Sequence, residues 1–231
     1  MTAVNTLLKG IVGSTAYGLD TPESDVDTLG VFAAPTIAFH GLTKPQESMV
    51  THDPDSTMHE AGKFVRLALN GNPSVNELLW LDQYDFITQL GAELVGIRDA
   101  FLCGRQVRDA YIGYARQQLG KLIARGNGSF AADIPERRAA KHARHIIRLL
   151  EQGRELYTTG QLTVRLKDPD MVRDLADWIL AHPLQGHDYI HGVEMIMDGD
   201  GTPLPDHPDR DTAEQWLLRV RNHHYTYDTE D

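Results

Sequence analysis

Apolar positions change their rhythm once along this chain. Up to about residue 70 they come in short runs separated by turn residues: Leu7 to Val12, then Val26, Leu29, Val31 and Phe32, then a stretch within Ser48 to His59. Runs of this length, bounded by Gly, Pro and Asp, predict strands. Pro35, Gly41 and Pro45 punctuate the interval after the second run, and Asp53-Pro54-Asp55 predicts a turn. Helical spacing takes over at Phe64, Leu67 and Ala68 and stops at Asn70-Gly71-Asn72-Pro73. Ser74, with Glu77 three positions later, predicts a capping box for the helix that follows.

From about Leu90 the period is helical. Tyr111, Ala115, Leu119 and Leu122 form one stripe that ends at the loop Gly126-Asn127-Gly128-Ser129. A second stripe runs from about Pro135 through Ile146 and Leu150 to Leu156, with Gly160 in the turn beyond. Met171 to Leu180 predicts a helix capped by Asp168 or Asp170. The stretch from Asp198 to Asp206 predicts a loop, and Thr212 to Val220 a last short helix. These patterns predict an α+β fold: a small mixed sheet with flanking helices, then a mainly helical C-terminal region. The expected division is a core over residues 1–80 and a helical region over 81–231 packed against it, since no linker rich in Gly and Ser parts them.

Composition narrows the picture without changing it. A chain of 231 residues with 41% apolar and 24% charged residues can bury a substantial core. The opening residues predict neither a signal peptide nor a membrane span, and no run reaches eighteen apolar residues, so a cytoplasmic protein with no membrane partner is expected. The lone Cys103 excludes an intrachain disulfide framework and cysteine-rich zinc sites. A formal charge of −11 argues against a broadly basic surface that coats nucleic acid. Positive residues gather between Arg105 and Arg173, while the stretch from Asp198 to Asp231 is acidic, so a nucleic-acid or nucleotide partner should meet the middle of the chain.

Candidate chemistry concentrates at Gly13 to Phe32. Asp25 and Asp27 stand two apart at the start of an apolar strand, so both carboxylates should face one side while Val26 points into the layer behind. Mg²⁺ takes hard oxygen ligands, commonly one or two carboxylates plus substrate phosphates. Gly13-Ser14, after the first strand, permits a tight turn whose amides and hydroxyl can cradle a phosphate. The same spacing also fits an ordinary surface turn built by Ser24 and Asp25.

The residues Gly13, Ser14, Ala16, Tyr17, Gly18, Leu19, Pro22, Ser24, Asp25, Asp27, Gly30 and Val31 form a pattern that resembles the active-site signature of the DNA polymerase beta-like nucleotidyltransferases. More closely it resembles the bacterial and phage branch associated with RNA repair. The likeness continues through Lys63-Phe64, Leu67, Asn72-Pro73, Glu77-Leu78-Leu79 and the helix from Lys141 to Leu150. The resemblance implies a nucleotidyltransferase sheet and transfer of a nucleoside monophosphate from an NTP, ATP among the candidates, to an acceptor hydroxyl such as an RNA or tRNA end. It implies Mg²⁺ or Mn²⁺ held by Asp25, Asp27 and a third carboxylate on a following strand. Asp55 is the best match for that third position, with Asp53 and Glu60 as competitors. It further implies phosphate or nucleotide contacts from Gly13, Ser14, Tyr17, Ser24 and Lys63. The alternatives are a catalytically inactive nucleotide- or RNA-binding module with the same fold, and transfer to a protein or small-molecule acceptor.

Outside the signature, Lys141, Arg144, His145 and Arg148 lie three and four apart and predict one basic helix stripe. With Arg66 they are the candidates for acceptor or phosphate contacts; the spacing fits a solvated helix face equally well. Trp80 and Tyr84, like Tyr17, could stack a base, or serve as core anchors. His187 and His191 could share a helix face, but no cysteine or carboxylate cluster joins them into a metal site.

Overall fold

The computed structural model describes residues 5–22, 24–126 and 136–225. The chain folds as two compact units, one made of residues 1–102 with 207–231 and the other of residues 103–206. Compared with the division expected at residue 80, the change of unit comes about twenty residues later, and the C-terminal helix returns to the first unit. The fold is α+β, as the pattern of apolar positions predicts.

In the first unit a five-stranded sheet has the order β3-β4-β2-β1-β5. Its strands are β1 (Asn5–Val12), β2 (Asp27–Ala33), β3 (Ser48–His52), β4 (Asp55–Glu60) and the two-residue β5 (Phe86–Ile87). β1 pairs with β2 and β5, and β3 with β4, all antiparallel, while β2 and β4 run parallel. The single stretch read from Ser48 to His59 is thus a hairpin turning at Asp53-Pro54, a cis peptide. Leu8, Val31, Phe64, Leu78 and Ala68 are fully buried, 0% exposed, and each large member stabilises the unit by about 1.5–3 kcal/mol.

Between the strands lie α1 (Gly13–Tyr17), α2 (Ala61–Leu69), α3 (Pro73–Leu78) and α4 (Gln89–Gly96). The cap of α3 lies two residues before the expected Ser74. Asn72 is its cap, accepting from the Val75 N–H, and Pro73 occupies the first turn, where its missing N–H costs nothing. Glu77 is therefore released from capping and lies buried.

The second unit packs α5 (Gly104–Gly126), α6 (Glu136–Thr159), α7 (Pro169–Ala181) and α8 (Gly186–Asp200). Asn127 to Pro135, where a loop and the start of α6 were expected, lies outside the described residues. Gly153 on α6 has no room for a side chain: a Cβ there would stand 2.6 Å from Cβ of Tyr111 on α5. Asp168 caps α7, as expected. The loop expected from Asp198 onward begins later, because α8 runs on to Asp200 and ends at Gly201, whose φ is +72°.

The final helix, α9 (Arg210–His223), docks on the first unit. Trp216, fully buried, donates its indole N–H to the Leu90 carbonyl at 2.9 Å. Arg221 binds Glu60 through two nitrogens at 2.5 and 2.9 Å and lies 4.3 Å from the Phe39 ring centroid. Such a planar, two-point grip suits a buried carboxylate. No helix among the described residues is long and apolar enough to cross a membrane.

Candidate functional site

β1 ends where Gly13 takes a φ of +72°, a left-handed value that favours glycine. A Cβ at Gly13 would collide with the Asp27 carboxylate, and the Cβ and Cγ of Asp27 would lie 3.2 Å away. The turn and the acid are therefore fitted to one another: the bare Cα makes room for the carboxylate. α1 starts here and carries Ser14, half-buried. Its N-cap, Val12, has no side-chain oxygen, so no cap bond satisfies the first-turn N–H groups.

Asp27 opens β2 opposite Val12 and is half-buried. The parallel register pairs Thr28 with Ser56, and Thr28 donates to the Asp55 carbonyl at 3.4 Å. Asp55 thus opens β4 beside the start of β2, with neighbouring strands about 4.8 Å apart. Asp25 is exposed and precedes the ladder, and Val26 is 50% exposed instead of pointing inward. The expectation that both acids sit within the strand is corrected: pairing begins only at Asp27, so nothing holds Val26 against a layer.

Of the three acids weighed for the third position, Asp53 is exposed in the hairpin turn. Glu60 is 3% exposed, gripped by Arg221, and caps α2 by accepting from the Gly62 N–H at 2.8 Å. Asp55 stands at the same sheet end as Asp27. The donor set of Asp25, Asp27 and Asp55 has the hard-oxygen chemistry that Mg²⁺ takes. Among the described residues no three acidic, histidine or cysteine side chains stand close enough together to form a preformed metal cage.

Ser24 closes its own turn, its hydroxyl 2.9 Å from the Thr21 N–H. Tyr17 is 8% exposed and donates its hydroxyl to Glu77 at 2.5 Å, so its ring is not open for stacking on a base. Lys63 is half-buried on α2. Its charge, after burial, helps hold His59 below the usual imidazole range. Ser48 holds His59 through Nδ1 at 2.8 Å. Arg66 is exposed and pairs with Glu47. Trp80 is 7% exposed with Arg98 4.1 Å from its ring, and Tyr84 donates to the Leu78 carbonyl, so both serve as packing anchors.

The stripe on α6 does not form one open basic face. Lys141 is exposed and Arg144 half-buried, but Arg148 is 1% exposed and donates to Gln152 at 2.6 Å. His145 lies 2.9 Å from an Arg148 nitrogen. Burial, then the charges of Arg148, His142, Lys121 and Lys141, push its imidazole down to about 3. His187 and His191 are both exposed on α8, and His191 faces Glu194 at 3.6 Å. A cleft of about 510 Å³ in the first unit is lined by residues that include Asn5, Thr88, Glu93, Arg219 and His223, and by none of the candidate residues.

Sequence reasoning missed Glu77 as a partner of Tyr17. The signal was available: a lone acid inside Val75-Asn76-Glu77-Leu78-Leu79 sits in an apolar run, where a surface cap would be out of place. It also missed the Glu60–Arg221 pair, for which 161 residues of separation leave no local trace.

A family model described as RlaP, RNA repair pathway DNA polymerase beta family, matches residues 1–181. A curated protein named acetyl-coenzyme A synthetase, from Gemmatimonas aurantiaca, is 32% identical to this chain over 114 residues, which cover 49% of this chain and 17% of that protein. The chain thus spans less than a fifth of that relative's length, too little to carry its activity across. The family match extends over most of this chain, and the chain belongs to the RNA repair pathway DNA polymerase beta family.

Proposed function

We propose, with membership of this nucleotidyltransferase family as the premise, that the chain moves a nucleoside monophosphate from an NTP to an acceptor hydroxyl, with an RNA end as the acceptor class. The observation that carries this reading is the fit of the Gly13 turn around the Asp27 carboxylate. It sets uncapped backbone N–H groups and the Ser14 hydroxyl close in sequence and in space to an acid at a strand end. Phosphate oxygens and an acid approach one another only when a cation lies between them, and a site with both donors for phosphate and acids for a cation suits a metal–triphosphate pair.

Gly13 and Ser14 would hold the terminal phosphates. Asp25, Asp27 and Asp55 would hold Mg²⁺ or Mn²⁺, which when bound supplies charge neutralisation for the triphosphate and the departing pyrophosphate. The acceptor oxygen forms its bond to the α-phosphorus while the bond from that phosphorus to the bridging oxygen breaks. Pyrophosphate leaves with the electron pair, and Asp55 takes the acceptor proton. Lys63 would stabilise phosphate charge on the first unit. Lys141 and Arg144, the outward members of the α6 stripe, remain as contacts for an acceptor phosphate backbone.

The test incubates the full chain with Mg²⁺ or Mn²⁺ and each labelled NTP against RNA ends, proteins and small-molecule acceptors. Labelled RNA and released pyrophosphate are the expected products, and Asp27→Asn should lower turnover by roughly a thousand-fold with the fold retained. Undiminished turnover in that variant sinks the assignment. NTP binding with no product on any acceptor would favour the inactive binding module, and label on protein or a small molecule would replace the RNA end.

A further inference from the structure

α1 is a single turn of five residues. A turn that short does not hold itself, because the first helical hydrogen bonds do not offset the backbone entropy lost. Its orientation has to come from what it is tied to. At its start the tie is the Gly13–Asp27 fit. At its end Gly18 takes a left-handed φ of +75°, the Leu19 N–H returns to the Ser14 carbonyl at 2.9 Å, and Leu19 is 4% exposed. A further tie is the bond from the Tyr17 hydroxyl to Glu77, with the carboxylate 1% exposed on α3.

The partner helix is itself well held. Asn72 caps it, Pro73 presets its first turn, and Val75 and Leu78 are buried, only 2% and 0% exposed. A carboxylate at 1% exposure carries a desolvation cost that an apolar pair of similar size would not have. What the carboxylate adds is direction: at 2.5 Å an O–H···O⁻ bond is at the short, strong end of its range, and it fixes the phenol in angle as well as distance. An apolar contact would keep the turn packed but would let it rock.

We propose that Glu77, acting through Tyr17, is a positioning residue that holds the Gly13–Ser14 turn in the geometry for a metal-bound triphosphate. The inference rests on the reading of that turn as the phosphate site. Tyr17 then serves the nucleotide from behind the turn, and its ring does not touch the base.

The test measures affinity of the full chain for inorganic tripolyphosphate with Mg²⁺ by calorimetry, and amide hydrogen exchange over residues 13–19, in the wild type and in Tyr17→Phe, Glu77→Leu and Glu77→Gln. Tyr17→Phe and Glu77→Leu are expected to weaken binding about ten-fold and to raise exchange over residues 13–19 without raising it in β1 or β2. Glu77→Gln keeps an acceptor for the phenol and should retain more affinity than Glu77→Leu. A purely structural bond would lower thermal stability and leave affinity and local exchange as they are, which overturns the proposal. Should Glu77→Leu fail to fold, Tyr17→Phe decides the matter by the same two readouts. A wild type that binds no tripolyphosphate removes the phosphate site and this inference with it, whereas wild-type binding that survives unchanged in Tyr17→Phe removes the positioning role alone.

Discussion

In the first unit Asp27 stands half-buried at a strand end against the bare Cα of Gly13, while in the second Arg148 lies buried between Gln152 and His145. In both regions the spacing of charged residues predicts one shared face of an element. The outcomes differ because spacing sets which way side chains point relative to each other, whereas packing decides whether that face is open. At Asp27 the chain gives up a side chain on Gly13 to leave the carboxylate room. At Arg148 it surrounds the cation with an amide and a neutral imidazole, and the charge becomes part of the helical unit's interior.

The sharpest way to break this comparison is to fill the room at Gly13. Gly13→Ala puts a Cβ where the Asp27 carboxylate lies and forces a left-handed backbone on an L residue at about 1–2 kcal/mol. Turnover per folded molecule should fall roughly a hundred-fold, as expected when reacting groups are displaced by about an ångström. Steady-state kinetics beside a thermal melt separates the two effects, and unaltered kinetics would show that the fit has no catalytic use.

The counterpart in the second unit should behave in the opposite way. Arg148→Ala removes a buried side chain and strands the Gln152 carbonyl, at about 2–4 kcal/mol of stability. Turnover per folded molecule should hold. Urea unfolding with an activity assay on the folded fraction reads both; a variant that kept its stability but lost turnover would return Arg148 to the acceptor contacts.

The smallest effect is a pH dependence carried by His145. Its imidazole is held at about 3 in the folded chain and titrates near its ordinary value of 6.5 when unfolded. The unfolded chain therefore takes up a proton first as pH falls. Stability from the neutral, buried ring is fully present above pH 6.5 and is lost progressively toward pH 3. Between pH 6.5 and 5.5 the loss is about 1 kcal/mol. His59 is lowered in the same direction, so the measurement is the difference in slope between the wild type and His145→Gln. Equal slopes would mean that the ring is open to protonation.

Much of the fold was readable because its signals are local. The Gly13 turn, the stop at Asn70-Gly71 and the Asp168 cap each depend on a few neighbouring residues that set φ and ψ directly. The cap of α3 was misplaced by two residues because Ser74 and Asn72 both carry the right chemistry, and Pro73 in the first turn decides between them. The extension of α8 through Asp198 was missed because Asp and Gly usually mark loops. In the structure Asp198 is bound by Arg108 from α5, at 2.5 and 2.8 Å, and that partner is ninety residues away.

By itself the sequence determined the strand and helix periods, the positive-φ turn before α1, the acids at and before the start of β2, and the family to which the chain belongs. Only the tertiary structure decided that β4 runs parallel beside β2, which brings Asp55 and not Glu60 to the Asp27 end. It also decided that Arg148 and Glu77 turn inward and that α9 closes on the first unit. The physical reason is that short-range sterics and hydrogen bonds fix backbone shape within a few residues. Strand neighbours and burial come instead from apolar surfaces far apart in the chain, and no single stretch of residues records which of them will meet.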